Sequence, residues 1–116
     1  MNDTHSIYED HDWWPAHLPA RARLARVMAA RAYDVPLEDL AAATRKSPRT
    51  ALARHVAMYL AHVVFGMTMS QIGFQFGRDR STASHAVHRV EDLREDPDLD
   101  NILEWLEAQL RGMAQP

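Results

Sequence analysis

The 116-residue chain is 47% apolar and 25% charged, a composition that fits one globular domain and leaves no space for a second of useful size. It contains no cysteine, which excludes disulfides, zinc ribbons and thiol nucleophiles and permits a reducing compartment. The formal charge of -3 argues against a nucleic-acid partner only as an average, because the charges are segregated along the chain.

Residues 1 to 18 read as a partly ordered arm, rich in Asp, His, Asn and Ser up to the pair Trp13-Trp14. Its start, MNDTHSIYEDHDWW, is acidic and lacks a long apolar run, so no signal peptide is expected. Two adjacent tryptophans are costly to expose. Trp13 and Trp14 are therefore expected to fold back on the domain or to form a self-association or partner contact. His5, His11 and His17 have no metal-ligand spacing, and no metal is expected.

Pro19 suits the first turn of a helix running to about Tyr33, with Leu24, Val27, Met28 and Ala32 on its inner side. Arg21, Arg23, Arg26 and Arg31 decorate its exterior. Such a face could touch DNA phosphate or be solvated by water and nearby acids, and the second reading is preferred. Asp34-Val35-Pro36 ends this helix, and Leu37 to Ala43 reads as a short second one with Leu37 and Leu40 inward. A polar basic loop follows from Thr44 to Thr50, in which Ser47 can cap and Pro48 can open the next helix. From Arg49 to Phe65 the stripe of Leu52, Val56, Tyr59, Leu60, Val63 and Val64 marks the most buried helix, which Gly66 stops. His55 and His62 share a face of it without a third ligand, and are read as satisfied or solvated side chains.

The stretch from Thr68 to Leu93 predicts a helix-turn-helix. Thr68 and Gln71 stand in capping-box relation, and Met69, Ile72 and Phe76 recur at helical spacing. After the break at Phe76-Gly77-Arg78-Asp79, Asp79 can cap a second helix whose inner face is Ala83, Ala86, Val87, Val90 and Leu93. Ser81, Ser84, His85 and His88 point the other way, with Thr82 and Arg89 on one flank. Hydroxyls, imidazoles and guanidinium on a face with no large apolar residue suit a major groove. Arg78 and Arg80 sit at its N-terminal end, where free backbone N–H groups and the helix dipole favour phosphate and base edges. Arg94-Glu95-Asp96-Pro97 then breaks the chain, with Asp96 a cap and Pro97 the first helical residue. Ile102, Leu103, Leu106 and Leu110 form the inner side of a terminal helix, Trp105 covers the core edge, and the exterior is acidic. The run from Glu95 to Asp100 lacks calcium-loop spacing. No strand pattern occurs, and no stretch approaches the roughly eighteen apolar residues of a membrane helix.

Counted by region, the charge reverses its first impression. Thr44 to Val90 holds seven basic residues (Arg45, Lys46, Arg49, Arg54, Arg78, Arg80 and Arg89) against Asp79 alone. Residues 1 to 20 contribute four acids and no Lys or Arg, and Glu91 to Pro116 contributes eight acids against Arg94 and Arg111. Acid at both ends and base in the middle is the footprint expected of a DNA-binding patch.

The runs RHVAMYLA (54 to 61), SQIG (70 to 73) and FGRDRSTASHA (76 to 86) carry a resemblance. In order and spacing they are similar to the C-terminal DNA-binding domain of the bacterial replication initiator DnaA, whose pattern is close to R-Q-x-A-M-Y-L, L-x-E-I-G and F-G-G-R-D-H-T-T-V-x-H-A. The likeness covers roughly Leu24 to Leu110. It implies an all-helical domain of about six helices that sets the second helix of the motif in a major groove and reaches an adjacent minor groove with a basic loop. By position, Asp79 would accept from a cytosine amino group, and Arg80 stands where the family has a base-contacting histidine. Ser81 and Thr82 stand where it has two threonines. Arg78, His85 and Arg54 match phosphate or base contacts, and Lys46 matches an arginine placed in the minor groove. One glycine of the family's pair is missing before Arg78, so the turn is shorter, and Arg80 can pair bidentately with guanine where histidine cannot. The sequence read is expected to differ. No G-x-x-x-x-G-K-[ST] occurs, so ATP-driven assembly is not expected of this chain.

The expected function is sequence-specific binding of double-stranded DNA, as a bacterial transcription regulator or a modulator of replication, cytoplasmic and nucleoid-associated. The alternative is a protein-interaction module that keeps the fold and uses Trp13, Trp14 and the acidic tail. Base contacts are expected from Asp79, Arg80, Ser81, Thr82 and His85. Phosphate or minor-groove contacts are expected from Arg45, Lys46, Arg54, Arg78 and Arg89. Trp13 and Trp14 are the expected self-association contact in a possible homodimer. No cofactor and no catalysis are expected, since Ser81, Ser84 and His85 on one helix have no acid orienter and no implied pocket. Residues 1 to 18 form the arm and 19 to 116 the binding domain.

Overall fold

Residues 15–41 and 47–114 are described by the computed structural model, and among them six helices and no strand occur. They are α1 (Leu18–Ala32), α2 (Leu37–Leu40), α3 (Pro48–Val63), α4 (Met69–Phe76), α5 (Arg80–Leu93) and α6 (Pro97–Ala114). α2 ends at Leu40 with Ala41 as its C-cap, short of the expected Ala43, and residues 42–46 lie outside the described residues.

Local chemistry starts most of these helices. The Ser47 hydroxyl accepts from the Thr50 amide at 3.1 Å and Pro48 occupies the first turn of α3, so one orphan donor is satisfied and another is removed. Pro19 plays the second part in α1. At the end of α1 the chain turns through Asp34 at φ 53°, and the Val35 amide reaches back to the Ala30 carbonyl at 3.0 Å, closing the helix in the manner usually given to glycine.

The core is built around α3, whose Val56, Ala57, Met58, Leu60 and Ala61 are wholly buried. The expected rank of this helix holds. α1 lies along it through Ala22, Ala25 and Ala29, all fully buried, flanked by Leu18 and Met28. This corrects the predicted inner face of α1: Leu24 and Val27 are only half-buried, and Ala32 is exposed. Alanines let two helix backbones approach closely, so the seam follows the small side chains and the larger ones lie beside it.

α5 closes the other side of α3 with Ala83, Ala86, Val87 and Val90, the face the sequence pattern predicts. α6 buries Leu103, Leu106 and Leu110 completely, but Ile102, expected on the same inner side, is 41% exposed, and Trp105, expected to cover the core edge, is 58% exposed. Leu103, Leu106 and Leu110 already fill one seam, and Ile102 sits one residue, about 100°, away from it. Arg94, at the junction of α5 and α6, binds Asp100 and Glu107 and donates to the Tyr59 hydroxyl at 2.9 Å, pinning α6 to α3. These partners raise the pKa of its guanidinium further, although burial alone would lower it.

Candidate nucleic-acid interface

α4, the turn after it and α5 form the helix-turn-helix. Thr68 accepts from the Gln71 amide at 3.1 Å while the Gln71 side chain accepts from the Thr68 amide at 3.0 Å, the reciprocal arrangement anticipated from the sequence. α4 ends at Gly77, which has φ 65°, and the Arg78 amide donates to the Gly73 carbonyl at 2.8 Å. Gly73 has a second reason to be glycine. A Cβ there would stand 2.7 Å from the Arg78 carbonyl oxygen, so this position is where α4 and the turn touch backbone to backbone. Only three residues, Gly77 to Asp79, separate the two helices.

Asp79 starts α5. Its Oδ1 accepts from the Thr82 amide at 2.9 Å and from the Ser81 hydroxyl at 2.8 Å. Those bonds, the Thr82 amide first, hold the carboxyl below the usual carboxylate range even though it is fully solvated. The cap therefore does two things: it fixes where α5 begins and it keeps one carboxylate oxygen occupied by the helix itself.

On α5, Arg80, Ser81, His85, His88 and Arg89 are exposed, while Thr82 and Ser84 are half-buried. His88 Nδ1 lies 2.8 Å from the Ser84 carbonyl, and the His85 ring meets the His55 ring of α3 edge-on at 6.2 Å. His85 is thus exposed yet leans on α3, which limits its rotamers. Arg78, half-buried in the turn, donates to the Phe76 and Gly77 carbonyls at 3.3 and 3.2 Å. From Arg80 to Val90 there is no acid. Up to Val90 the face offers hydroxyls, imidazoles and guanidinium groups together with the positive N-terminal end of a helix.

The structure gathers Asp79, Arg80, Ser81, Thr82, His85 and Arg89 on α5, with Arg78 beside its start. Arg54 does not join them. It is 7% exposed, its Nε donates to the Leu40 carbonyl at 2.9 Å and its Nη2 to the Asp39 carbonyl at 3.0 Å, so it ties the end of α2 to α3. Two carbonyls at the end of a helix thus hold a nearly buried guanidinium. Arg45, Lys46, Trp13 and Trp14 lie outside the described residues.

Sequence reasoning missed Arg26 of α1, which packs over the Phe76 ring at 5.1 Å and donates to the Gln75 carbonyl at 3.3 Å, holding α1 against the end of α4. No local signal marks this contact, since 49 residues separate Arg26 from Gln75. Among the described residues no group of His, Asp and Glu is arranged to hold a metal ion, and no helix is long and apolar enough to cross a membrane.

Comparison with known proteins gives one answer. The family described as bacterial DnaA protein helix-turn-helix matches residues 26–90. The chromosomal replication initiator protein DnaA of Methylacidiphilum infernorum is 41% identical over 81 residues, which cover 68% of this chain and 18% of that protein. DnaA of Caldanaerobacter subterraneus is 30% identical over 81 residues, 69% of this chain and again 18% of the relative. The chain thus spans less than a fifth of the length of these relatives. Among solved structures, a DNA replication initiation factor superposes with a TM-score of 0.75 at 27% identity, covering 84% of this chain and 30% of that one. A replication initiator DnaA bound to AMPPCP and single-stranded DNA gives a TM-score of 0.73 at 25% identity, covering 93% of this chain and 32% of that one.

Proposed function

The chain belongs to the bacterial DnaA helix-turn-helix family, and on that premise we propose that it binds double-stranded DNA sequence-specifically, as a transcription regulator or a modulator of replication acting on the nucleoid. The observation that carries this reading is the acid-free stretch of α5 from Arg80 to Val90, which begins at a capped N-terminus with exposed Arg80 and Ser81 and half-buried Thr82 and continues to exposed His85. Arg80 reads guanine, Asp79 uses its second carboxylate oxygen toward cytosine, and Ser81, Thr82 and His85 complete the base contacts. Arg78, Arg89, Arg45 and Lys46 neutralise phosphates and supply the salt dependence. The unit that does this is residues 19 to 116, and it acts by binding, without catalysis.

Selection of bound sequences from a random duplex library tests the reading. The protein is expected to enrich one motif, and Arg80→Ala is expected to relax one position of it, at a cost of ~1–3 kcal/mol for the lost bidentate pair. An unaltered motif with Arg80→Ala removes the guanine assignment, and no enrichment with the parent protein removes the function. Self-association through Trp13 and Trp14 is part of the same proposal. A chain lacking residues 1 to 18 that keeps the parent's mass in solution refutes that part.

A further inference from the structure

α6 carries two stripes. Leu99, Leu103, Leu106 and Leu110 turn inward, whereas Asp98, Ile102, Trp105, Gln109 and Gly112 follow one another at intervals of four, three, four and three residues and are all exposed. That alternation is the seam of two helices packed side by side, and among the described residues no second helix covers it. Trp105 is 58%, Met113 52% and Ile102 41% exposed, three of the four large apolar side chains so placed among the described residues. Where the stripe meets α1, a depression of about 340 Å³ opens between Met28, Arg31 and Ala32 on one side and Trp105, Gln109 and Met113 on the other. Arg31 on its rim and Glu104, the neighbour of Trp105, are both exposed, and among the described residues neither is ion-paired.

We propose that this surface joins two copies of the chain, packed α6 against α6, antiparallel, about a twofold axis, whether or not DNA is bound. A twofold contact must be self-complementary, because one patch serves both sides. This patch holds both halves, an exposed indole and beside it a depression walled by apolar Met28, Ala32 and Met113. With the axis at the level of Glu107, Trp105 of each copy meets Gln109 and the depression of the other. Ile102 then meets Gly112, around which no atom of the chain would crowd even a Cβ. The same operation sets Arg31 of one copy across from Glu104 of the other, so base on α1 and acid on α6 pair between copies as they do not within one. A parallel arrangement is disfavoured, since it lays Asp98 and Glu104 beside their own equivalents. Those two acids also repel a polyanion, which makes the stripe unfit as a further DNA contact. Two covered indoles contribute about 300–500 Å², at about 150–250 Å² each. That is about a quarter of a standard interface of about 1,600 Å², so the dimer is weak, with a dissociation constant on the order of 10–100 μM.

The experiment is sedimentation equilibrium of the full chain, without DNA, from about 5 to about 500 μM, a range that brackets that constant. The parent, Trp105→Glu, Arg31→Glu, Glu104→Arg and the double exchange Arg31→Glu/Glu104→Arg are compared. The parent's mass is expected to rise with concentration from the 13.2 kDa of one chain toward twice that value. Trp105→Glu is expected to keep the mass of one chain throughout. Each single charge reversal alters two symmetry-related pairs and is expected to weaken association about tenfold, and the double exchange to return it to within about threefold of the parent. Arg31 and Glu104 are exposed, so the exchanged proteins keep the parent's thermal midpoint and the result does not depend on how Trp105→Glu folds. A parent that stays at one chain up to about 500 μM, a concentration well above the expected constant, overturns the proposal. A parent that doubles while Trp105→Glu doubles equally overturns it too, because the contact then lies elsewhere in the chain. A double exchange as weak as the single ones also overturns it, because Arg31 and Glu104 then do not face each other.

Discussion

α5 and α6 are built to the same inner rule and differ most on the outside. Each presents a seam of fully buried aliphatic side chains, Ala83, Ala86 and Val90 in one and Leu103, Leu106 and Leu110 in the other. Outside, α5 shows Arg80, Ser81, His85, His88 and Arg89 and carries acid only in its last turn, at Glu91 and Asp92, while α6 shows Asp98, Glu104, Trp105 and Met113, with Arg111 near its end. The seams make both helices members of one fold; the outer faces decide that only one of them suits a polyanion. Seam size matters as well. The alanines of α5 bring it close to α3, which holds the reading face at a fixed height, whereas the leucines of α6 fill volume.

If that division is right, the two seams fail differently. Leu106→Ala removes a fully buried side chain from the helix that does not read DNA and is expected to cost about 2–5 kcal/mol, read as a lower denaturation midpoint, while the selected DNA motif of the folded fraction stays the same. A changed motif would mean that α6 positions α5, and the division would break down. Gly73→Ala tests the other side. The added Cβ meets a backbone oxygen of the turn at 2.7 Å, which cannot swing away as a side-chain end could, so α4 and α5 must part. A cost of about 1–3 kcal/mol is expected, together with a loss of specific affinity larger than the loss of stability explains. Unfolding by urea alongside duplex titration separates the two.

These same elements show what could be read from the chain without its structure. The Thr68–Gln71 box, the Ser47 and Asp79 caps and the inner face of α5 were legible because each depends on residues within one or two turns. The alanine seam of α1 was not, because which face of a helix is buried depends on what approaches it, and alanine carries little hydrophobic signal of its own. Arg54 was placed among the DNA contacts by its matching position in the resembled family; its partners here, the Leu40 and Asp39 carbonyls, come from another helix end and leave no local signal. The Gly73 contact was hidden for a related reason: a glycine inside a helix reads as a weakness until the backbone that needs the space is known. The outward residues of α5 follow from periodicity, whereas the hold of Arg26 on Phe76 and Gln75 joins segments 49 positions apart and leaves no local trace.

The smallest expected effect is also the most local. Asp79 is the one acid of the basic region, and its carboxyl is held below the usual carboxylate range by the Thr82 amide and the Ser81 hydroxyl. A depressed folded pKa means that the unfolded chain takes up the proton first as the pH falls, so the stability Asp79 contributes is complete above its unfolded value, about 3.9, and is lost as the pH drops through the lower folded value. Asp79→Asn keeps a good capping side chain and removes the titration. The thermal midpoints of the two proteins are expected to run parallel from pH 7 to about 5 and then to converge or cross below about 4, with the parent falling faster. The drop is small, because the group is fully exposed and only a cap is weakened. Parallel curves down to pH 2 would show that α5 starts as firmly without the charge as with it, so that the hydrogen bonds of the cap and not its charge fix the N-terminus of the helix.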